Sequence, residues 1–461
     1  MNKKVALITL GCKLNYAETS TYERGLVKAG CEAVSWTETG IDLFLVNTCS
    51  VTEHSDKKSR NIIRKLHRTV PQAAIVVTGC SAQLRREAIE AIDGVAKVFG
   101  AAQKNEVVPY CLALLGLGAA KSGAAGGLQD KAGQQDAVAG VMQGKAGQQD
   151  AAESQQSKAE QSEEAQLDND FFGAYSSGER TRSFLKVQDG CDYKCHYCTV
   201  PYARGESRNA PIHYIISQAE AIAAEGIKEI VITGVNTGDF GKSTGESFLD
   251  LLKALDKVSG IERYRISSIE PNLLTEEIVD WIARGSKVLP HFHIPLQSGC
   301  DTILSAMGRR YTTVDFAAKI AYIRKRLEKE DRQKVFFGID VIVGFPGETD
   351  EMFRTTYDFL ANTIKPAFIH IFPYSRRPGT PAAERRDQIQ DSVKTARVEA
   401  LEALCEKLHN EFILANKGKE SKVLFELKSK SGAAEGWSEN YIRVSVPYEE
   451  GIINDIRKVT L

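Results

Sequence analysis

Within eight residues the chain places three cysteines, Cys191-Asp-Tyr-Lys-Cys195-His-Tyr-Cys198. Thiolates this close in sequence reach one metal centre without long-range folding, so this loop constrains the chain before any domain is considered. A structural zinc site is closed and four-coordinate, and three sulfur ligands leave its shell incomplete. A four-iron cluster accepts three thiolates and keeps one iron open for a non-protein ligand. The loop lies between an apolar run, Phe184 to Val187, and the turn-rich Pro201-Tyr-Ala-Arg-Gly-Glu. It reads as a cofactor loop at a strand end. Incidental or zinc-binding cysteines are the plainer alternative.

The chain has 461 residues, enough for two or three domains with cores of ordinary size. Its 59 basic and 60 acidic residues nearly cancel, so net charge neither argues for nucleic-acid binding nor excludes a local basic site. The N-terminal apolar run is too short for a signal peptide, and no apolar segment is long enough to cross a bilayer. A cytoplasmic location is expected. In that compartment ten cysteines argue for metal binding or catalysis before disulfides.

From residue 4 to about 110, short Val- and Ile-rich runs alternate with helical patterns. Strands are expected at Val5–Leu10, Leu43–Asn47 and Ala74–Thr78, with helices at Ala17–Lys28 and Ser55–Arg68. Such alternation predicts a parallel α/β sheet. Each strand leads into a cysteine: Gly11-Cys12, Asn47-Thr48-Cys49 and Gly79-Cys80. Loops at the carboxyl ends of parallel strands share one edge, where ligands bind. Cys12, Cys49 and Cys80 are thus expected to form a second three-thiol site. Cys31, Cys111 and Cys405 fit core positions, and Cys300 stays open between core and site. The helix Ser55–Arg68 carries Lys57, Lys58, Arg60, Arg64, Lys65 and Arg68, which read equally as a solvated face or a phosphate-contacting surface.

From about Gly116 to Asp168 the chain is rich in Ala, Gly, Gln, Ser and Asp, and it repeats Lys-Ala-Gly-Gln-Gln-Asp-Ala at 131–137 and 145–151. That composition buries too little apolar area to offset the entropy of ordering, so a linker insertion is expected over 113–175. Beyond it, strands are expected at Phe184–Val187, Glu229–Thr233, Arg263–Ser267, His291–Ile294, Val335–Val343 and Ala367–Phe372. With helices between them they predict a partial parallel barrel over 176–417. Its strand-end loops carry Gly234, Asn236, Glu270 and Gln297 on the same edge as the three-cysteine loop, and these are candidate cofactor-cavity residues. After a helix at Asp391–Lys417, short alternating segments predict a small β module over 418–461. Its Trp437, Tyr441 and Arg443 read as core or rim residues or as a base-stacking surface.

Together these motifs resemble the radical S-adenosylmethionine (SAM) methylthiotransferases, over nearly the whole chain except the insertion. The resemblance rests on Gly11-Cys12-Lys-Leu-Asn15, Asn47-Thr48-Cys49, Thr78-Gly79-Cys80, the Cys191–Cys198 motif with Pro201-Tyr-Ala-Arg-Gly205, His293-Ile-Pro-Leu-Gln-Ser-Gly299, Asp340-Val-Ile-Val-Gly-Phe-Pro-Gly-Glu348 and Phe372-Pro-Tyr-Ser-Arg-Arg-Pro-Gly-Thr380. It implies an N-terminal methylthiotransferase domain (1–112), a radical-SAM domain and a C-terminal domain of the TRAM type. It further implies two [4Fe-4S] clusters, on Cys191, Cys195 and Cys198 and on Cys12, Cys49 and Cys80. Two SAM molecules are consumed per turnover, one as radical source and one as methyl donor, and Tyr197 packs near the SAM adenine. The implied substrate is tRNA at position 37 in the anticodon stem-loop, with an electron donor such as flavodoxin or ferredoxin. The residues around the first two cysteines resemble the branch acting on N6-threonylcarbamoyladenosine. Alternatives are the isopentenyladenosine branch, the branch modifying an aspartate of ribosomal protein uS12, and a non-catalytic iron–sulfur or zinc protein that binds RNA.

Overall fold

The protein is described by a computed structural model covering residues 2–117, 171–178 and 181–461. The repeat at 131–137 and 145–151 lies outside the described residues. The first sheet is fully parallel, with β1 (Lys4–Thr9), β2 (Glu32–Ala33), β3 (Leu43–Thr48), β4 (Ala74–Gly79) and β5 (Val95–Val98) in the order β2-β1-β3-β4-β5. Every residue of β3 is buried, as a central strand covered on both faces requires. The order reverses between β1 and β3. A crevice therefore opens past their carboxyl ends, the usual ligand position in such sheets.

The expected helix at Ala17 begins earlier and spans Lys13–Lys28. Its N-cap is Cys12, whose side chain makes no capping bond, so the sequence carries no start signal there. Part of the 113–175 stretch is built into the fold. Ala174–Tyr175 forms β6, antiparallel to β7 (Arg182–Lys186), and the Tyr175 carbonyl accepts from Arg24 Nη1 at 2.9 Å. Phe172 and Ala174 pack into the core beneath the first sheet.

The six expected strands of the partial barrel are all present. β7, β8 (Glu229–Thr233) and β9 (Arg263–Ile266) form one parallel set with β6 at its edge, and β10 (His291–Gln297), β11 (Phe336–Val343) and β12 (Phe368–Pro373) form another. Parallel bridges Tyr264–Val288 and Ser268–His293 join them into one arc. A large apolar core fills the space between this arc and its outer helices.

The helix Asp391–Asn416 leads to an antiparallel sheet of β13 (Glu420–Lys428), β14 (Ala433–Trp437), β15 (Arg443–Pro447) and β16 (Ile456–Thr460), ordered β15-β14-β13-β16. Sequence periodicity misses β14, because Ala433-Ala-Glu-Gly-Trp has neither β-branched residues nor alternation. Gly436 is required in it, since a Cβ there would meet the Leu424 carbonyl carbon at 2.8 Å.

Candidate active site

The loop after β7 is shaped by backbone bonds around its cysteines. Cys191 N–H donates to the Gly205 carbonyl at 3.0 Å and Cys198 N–H to that of Cys195 at 3.1 Å. The amides of Tyr193 and Val200 donate to the sulfurs of Cys191 and Cys198, each at 3.4 Å. Arg309 donates to Cys195 Sγ at 3.2 Å. Burial pushes the Cys191 thiol up to about 11 and that of Cys198 to about 12. Such thiols stay protonated at neutral pH until a metal displaces the protons.

The second trio lies where the first sheet's strand order predicts. A Cβ on Gly11 (φ +112°) would meet Cys49 Sγ at 2.9 Å, so the turn carrying Cys12 lies directly against Cys49. Asn15 Nδ2 ties the two strand ends together, donating to the carbonyls of Leu10 (2.9 Å) and Thr48 (2.8 Å). Asn47 Nδ2 returns a bond to the Asn15 carbonyl at 3.0 Å. Thr48 Oγ1 donates to the Thr78 carbonyl at 2.7 Å and accepts from Ala82 N–H at 3.0 Å, fastening β3 to the turn that holds Cys80. The Asn-Thr pair before Cys49 is therefore structural stitching, a role invisible without the sheet. Cys12 is exposed, and burial pushes Cys80 up to about 11.

One cysteine of the second trio shares a space with all three of the first. A cavity of about 330 Å³ is lined by Cys80 together with Cys191, Cys195 and Cys198, and also by Tyr197, Asn236, Glu270 and Gln297. Cys12 and Cys49 are not part of this lining, and Ser50 to Thr52, directly after Cys49, continue the wall. Gly234 lies just outside the lining, where a Cβ would meet Gln188 Oε1 at 2.9 Å. Among the described residues, the three sulfurs of neither trio lie within 4.8 Å of one another, whereas tetrahedral zinc at about 2.3 Å per sulfur demands a closer set. Thiols that bind separate irons of a cluster have no such demand.

Arg309 was not singled out from sequence, because nothing in Gly308-Arg-Arg-Tyr marks it as a partner of Cys195. Besides that sulfur it reaches Tyr197 Oη at 3.3 Å and the Glu270 carboxylate, with which it forms an ion pair. Burial raises the Glu270 pKa although Arg309 opposes the shift. Gln297 holds a left-handed backbone (φ 71°) at a bulge of β10, a strained geometry for a non-glycine residue at a site. Arg377, also on the cavity wall, donates to Ser50 Oγ and Asp56, each at 2.8 Å, and so joins the barrel rim to the segment after Cys49. Cys300 packs with Ile303, Met307 and Phe345 in a small core beneath Tyr197. Cys31 and Cys111 pack under the first sheet and Cys405 in the barrel core.

A buried ion cluster joins the two halves. Glu18 and Asp189 face Lys104, Lys186 and Arg204, with Lys104 Nζ 2.7 Å from Glu18 and 2.8 Å from Asp189. Lys186 Nζ lies 2.8 Å from Glu18 and 2.6 Å from Asp189, and Arg204 reaches both and Asn15 Oδ1. A second cavity, of about 580 Å³, occupies the barrel lumen between Lys13, the strands and the C-terminal sheet. His293 and His370 lie on its wall, and His293 Nε2 is 2.6 Å from Oδ1 of Asp340, which lines the first cavity. The charge of Lys13 acts against a cation at that group.

Residues 185–360 match the family model described as the Radical SAM superfamily, and residues 4–100 match Uncharacterized protein family UPF0004. The chain is 36% identical over 99% of its length to the threonylcarbamoyladenosine tRNA methylthiotransferase MtaB of Bacillus subtilis (strain 168), covering 93% of that protein. It is 34% identical to the protein of the same name in Aquifex aeolicus (strain VF5), over 91% of this chain and 92% of the relative. A tRNA-2-methylthio-N(6)-dimethylallyladenosine synthase of Wolbachia sp. subsp. Brugia malayi (strain TRS) is 30% identical, over 98% and 93%. Among solved structures, the radical S-adenosylmethionine methyltransferase TsrM of Kitasatospora setae aligns with a TM-score of 0.53 at 18% identity, covering 83% of this chain and 74% of that one, a likeness of fold. Among the described residues no helix is long and apolar enough to cross a membrane. With its barrel, its strand-end cysteines and this near full-length identity, the chain belongs to the radical-SAM methylthiotransferase family, in the branch of the threonylcarbamoyladenosine tRNA methylthiotransferases.

Proposed function

We propose that the chain adds a methylthio group to C2 of N6-threonylcarbamoyladenosine at position 37 of tRNA. The observation that carries this reading is the shared cavity, in which Cys80 of one trio faces Cys191, Cys195 and Cys198 of the other. The adenine C2–H bond is unactivated, and no side-chain acid or base opens it at neutral pH. Cofactors supply that chemistry, and the protein supplies binding and orientation. When bound, one cluster with SAM provides the radical and the other provides the sulfur, a second SAM giving the methyl group.

In this reading Cys191, Cys195 and Cys198 hold the radical-SAM cluster, and Cys12, Cys49 and Cys80 hold the auxiliary one. Three thiols per site leave one iron of each cluster open. Arg309 holds the Cys195 sulfur and Glu270 in fixed relation. Glu270, Asn236, Gln297 and Tyr197 shape the SAM cavity, and Gly234 lets its loop close on Gln188. The helix Glu53–Thr69 starts directly after cavity-lining Ser50, Val51 and Thr52 and exposes Lys57, Lys58, Arg64, Lys65 and Arg68, which supports contact with the anticodon stem-loop. Turnover draws electrons from a donor such as flavodoxin or ferredoxin.

Nucleoside mass spectrometry of tRNA from cells with and without the gene tests the substrate. Loss of 2-methylthio-N6-threonylcarbamoyladenosine is expected. Loss of the methylthio-dimethylallyl nucleoside instead would move the chain to the activity named for its Wolbachia relatives, and loss of neither would sink both readings. Anaerobically reconstituted protein is expected to hold about eight irons per chain. Cys12→Ala is expected to keep SAM cleavage and lose methylthiolation. Methylthiolated tRNA from that variant would remove Cys12 from its assigned role.

A further inference from the structure

The lumen cavity has no occupant in the reading above. Phe184, Phe336 and Tyr441 supply aromatic wall, and Lys13, Arg182, Arg265 and Arg443 supply positive charge. Three of these four cations are already satisfied. Arg182 is paired with Glu426, Arg265 Nε lies 2.9 Å from Glu229, and Arg443 is paired with Glu435. The remaining Arg265 nitrogens donate to the carbonyls of Ser438 (2.7 Å) and Glu439 (2.9 Å). Lys13 differs. Among the described residues its ammonium makes no hydrogen bond and no ion pair. The positive charges of Arg182 and Arg265 act against it, while Asp340, whose charge favours it, is bonded to His293. The surface Lys13 exposes is cavity wall. Lys13 is exposed, and it leaves an accessible, unpaired cation on the cavity wall where an anion can join it.

The place of Lys13 in the chain ties the lumen cavity to the second three-thiol site. It follows Cys12, so an anion bound to it lies one residue from the second three-thiol site. A buried group points to the same ligand space: among the described residues His291 Nδ1, on the cavity wall, has no hydrogen-bond partner. The volume of about 580 Å³ falls in the range of nucleoside-sized pockets, and aromatic walls suit a purine. The threonylcarbamoyl group places a carboxylate on the purine whose C2 is modified. A dimethylallyl group in the same space would leave Lys13 desolvated and unpaired, which discriminates strongly against it.

We propose that Lys13 binds the threonylcarbamoyl carboxylate in the lumen cavity and so selects the modified adenosine whose C2 is presented to Cys12, Cys49 and Cys80. This rests on the tRNA substrate proposed above. A tRNA backbone phosphate would satisfy Lys13 equally well, and the test separates the two.

Reconstituted wild-type, Lys13→Gln and Lys13→Arg holoenzymes, matched for iron content, are titrated by fluorescence anisotropy with three anticodon stem-loops at one salt concentration. The loops carry N6-threonylcarbamoyladenosine, its methyl ester, or plain adenosine at position 37. The wild type is expected to prefer the free acid over the ester by roughly ten- to a hundred-fold, the range of a charge-assisted hydrogen bond. Lys13→Gln abolishes that preference, and Lys13→Arg retains part of it. Equal weakening of all three loops by Lys13→Gln assigns the lysine to phosphate and overturns the proposal, as does a preference that survives Lys13→Gln. If the wild type turns over the free-acid loop and only the Lys13 effects are absent, this proposal alone fails. If it does not methylthiolate that loop, the substrate reading fails with it.

Discussion

Arg309 holds together three separate stretches of chain at the cavity. Its guanidinium bonds Cys195 and Tyr197 from the cysteine loop, Glu270 from the loop after β9, and Tyr311 from its own turn. A positive donor on a cluster thiolate stabilises the charged ligand and raises the cluster's potential. Arg309→Met is therefore expected to keep the iron content but cut 5′-deoxyadenosine formation roughly ten- to a hundred-fold, the loss of a hydrogen bond to a charged group. The cluster midpoint should move negative, and an unchanged midpoint with unchanged yield would reject this role. Gly79 makes a different demand. At φ +99° a Cβ would sit 2.5 Å from Asn47 Oδ1, and the left-handed backbone adds about 1–2 kcal/mol for any L-residue. Gly79→Ala should displace Cys80 and lose about half the iron while SAM cleavage persists. Full iron occupancy in that variant would show that the turn tolerates the shift. Spacing announces the first trio and strand-end position the second, whereas the bonds by which Arg309, Asn15 and Thr48 aim them are hidden in sequence because their partners lie elsewhere in the chain.

At the scale of elements, the same division follows from physics. Strands at Leu43, Glu229 and Phe336 are legible because continuous apolar runs mark buried parallel strands. β14 and the first turn of the helix Lys13–Lys28 are hidden, since one is Gly- and Ala-rich and the other lacks a capping side chain. The ion cluster could not be read either, because Glu18, Lys104, Lys186, Asp189 and Arg204 meet only when the sheet docks on the barrel. Charge sets its behaviour. Lys104, Lys186 and Arg204 hold Glu18 and Asp189 well below the ordinary carboxylate range, although burial opposes this. Unfolded carboxylates titrate near pH 4. Below that the unfolded chain takes up protons that the folded chain refuses, so stability present above about pH 5 is lost as the pH falls. Glu18→Gln leaves an uncompensated positive charge in a fully buried site and is expected to cost about 3–5 kcal/mol at neutral pH. It should also flatten the acid slope of stability by about one proton. Chemical denaturation from pH 7 to pH 3 measures both, and an unaltered slope would mean that Glu18 titrates as an ordinary surface carboxylate.

Across the whole molecule, three sheets contribute walls to two cavities, and the division of labour between them can be tested. The cavity shared by the cysteine trios takes its lining from the first sheet and the barrel alone, whereas the lumen cavity also needs Trp437, Tyr441, Ile442 and Arg443 of the C-terminal sheet. That sheet is fastened to the barrel by arginines that radiate from Glu229. Arg265 donates to the carbonyls of Ser438 and Glu439, Arg263 to those of Lys422 (3.2 Å) and Trp437 (3.1 Å), and Arg182 pairs with Glu426. Arg265→Met removes the most buried of these fastenings and strips Glu229 of one partner, a loss expected to cost about 3–5 kcal/mol. The C-terminal sheet should then open locally before the barrel does, with Asn440, bonded to the Lys334 carbonyl and Asn416, as its main remaining buried polar tie. Limited proteolysis is expected to cut near Lys417–Lys419 and release the sheet while 5′-deoxyadenosine formation continues. Affinity for the anticodon stem-loop should fall in step with that release, since the aromatic wall of the lumen leaves with it. Stem-loop affinity that survived release of the C-terminal sheet would show that RNA reaches the cysteine trios without passing the lumen.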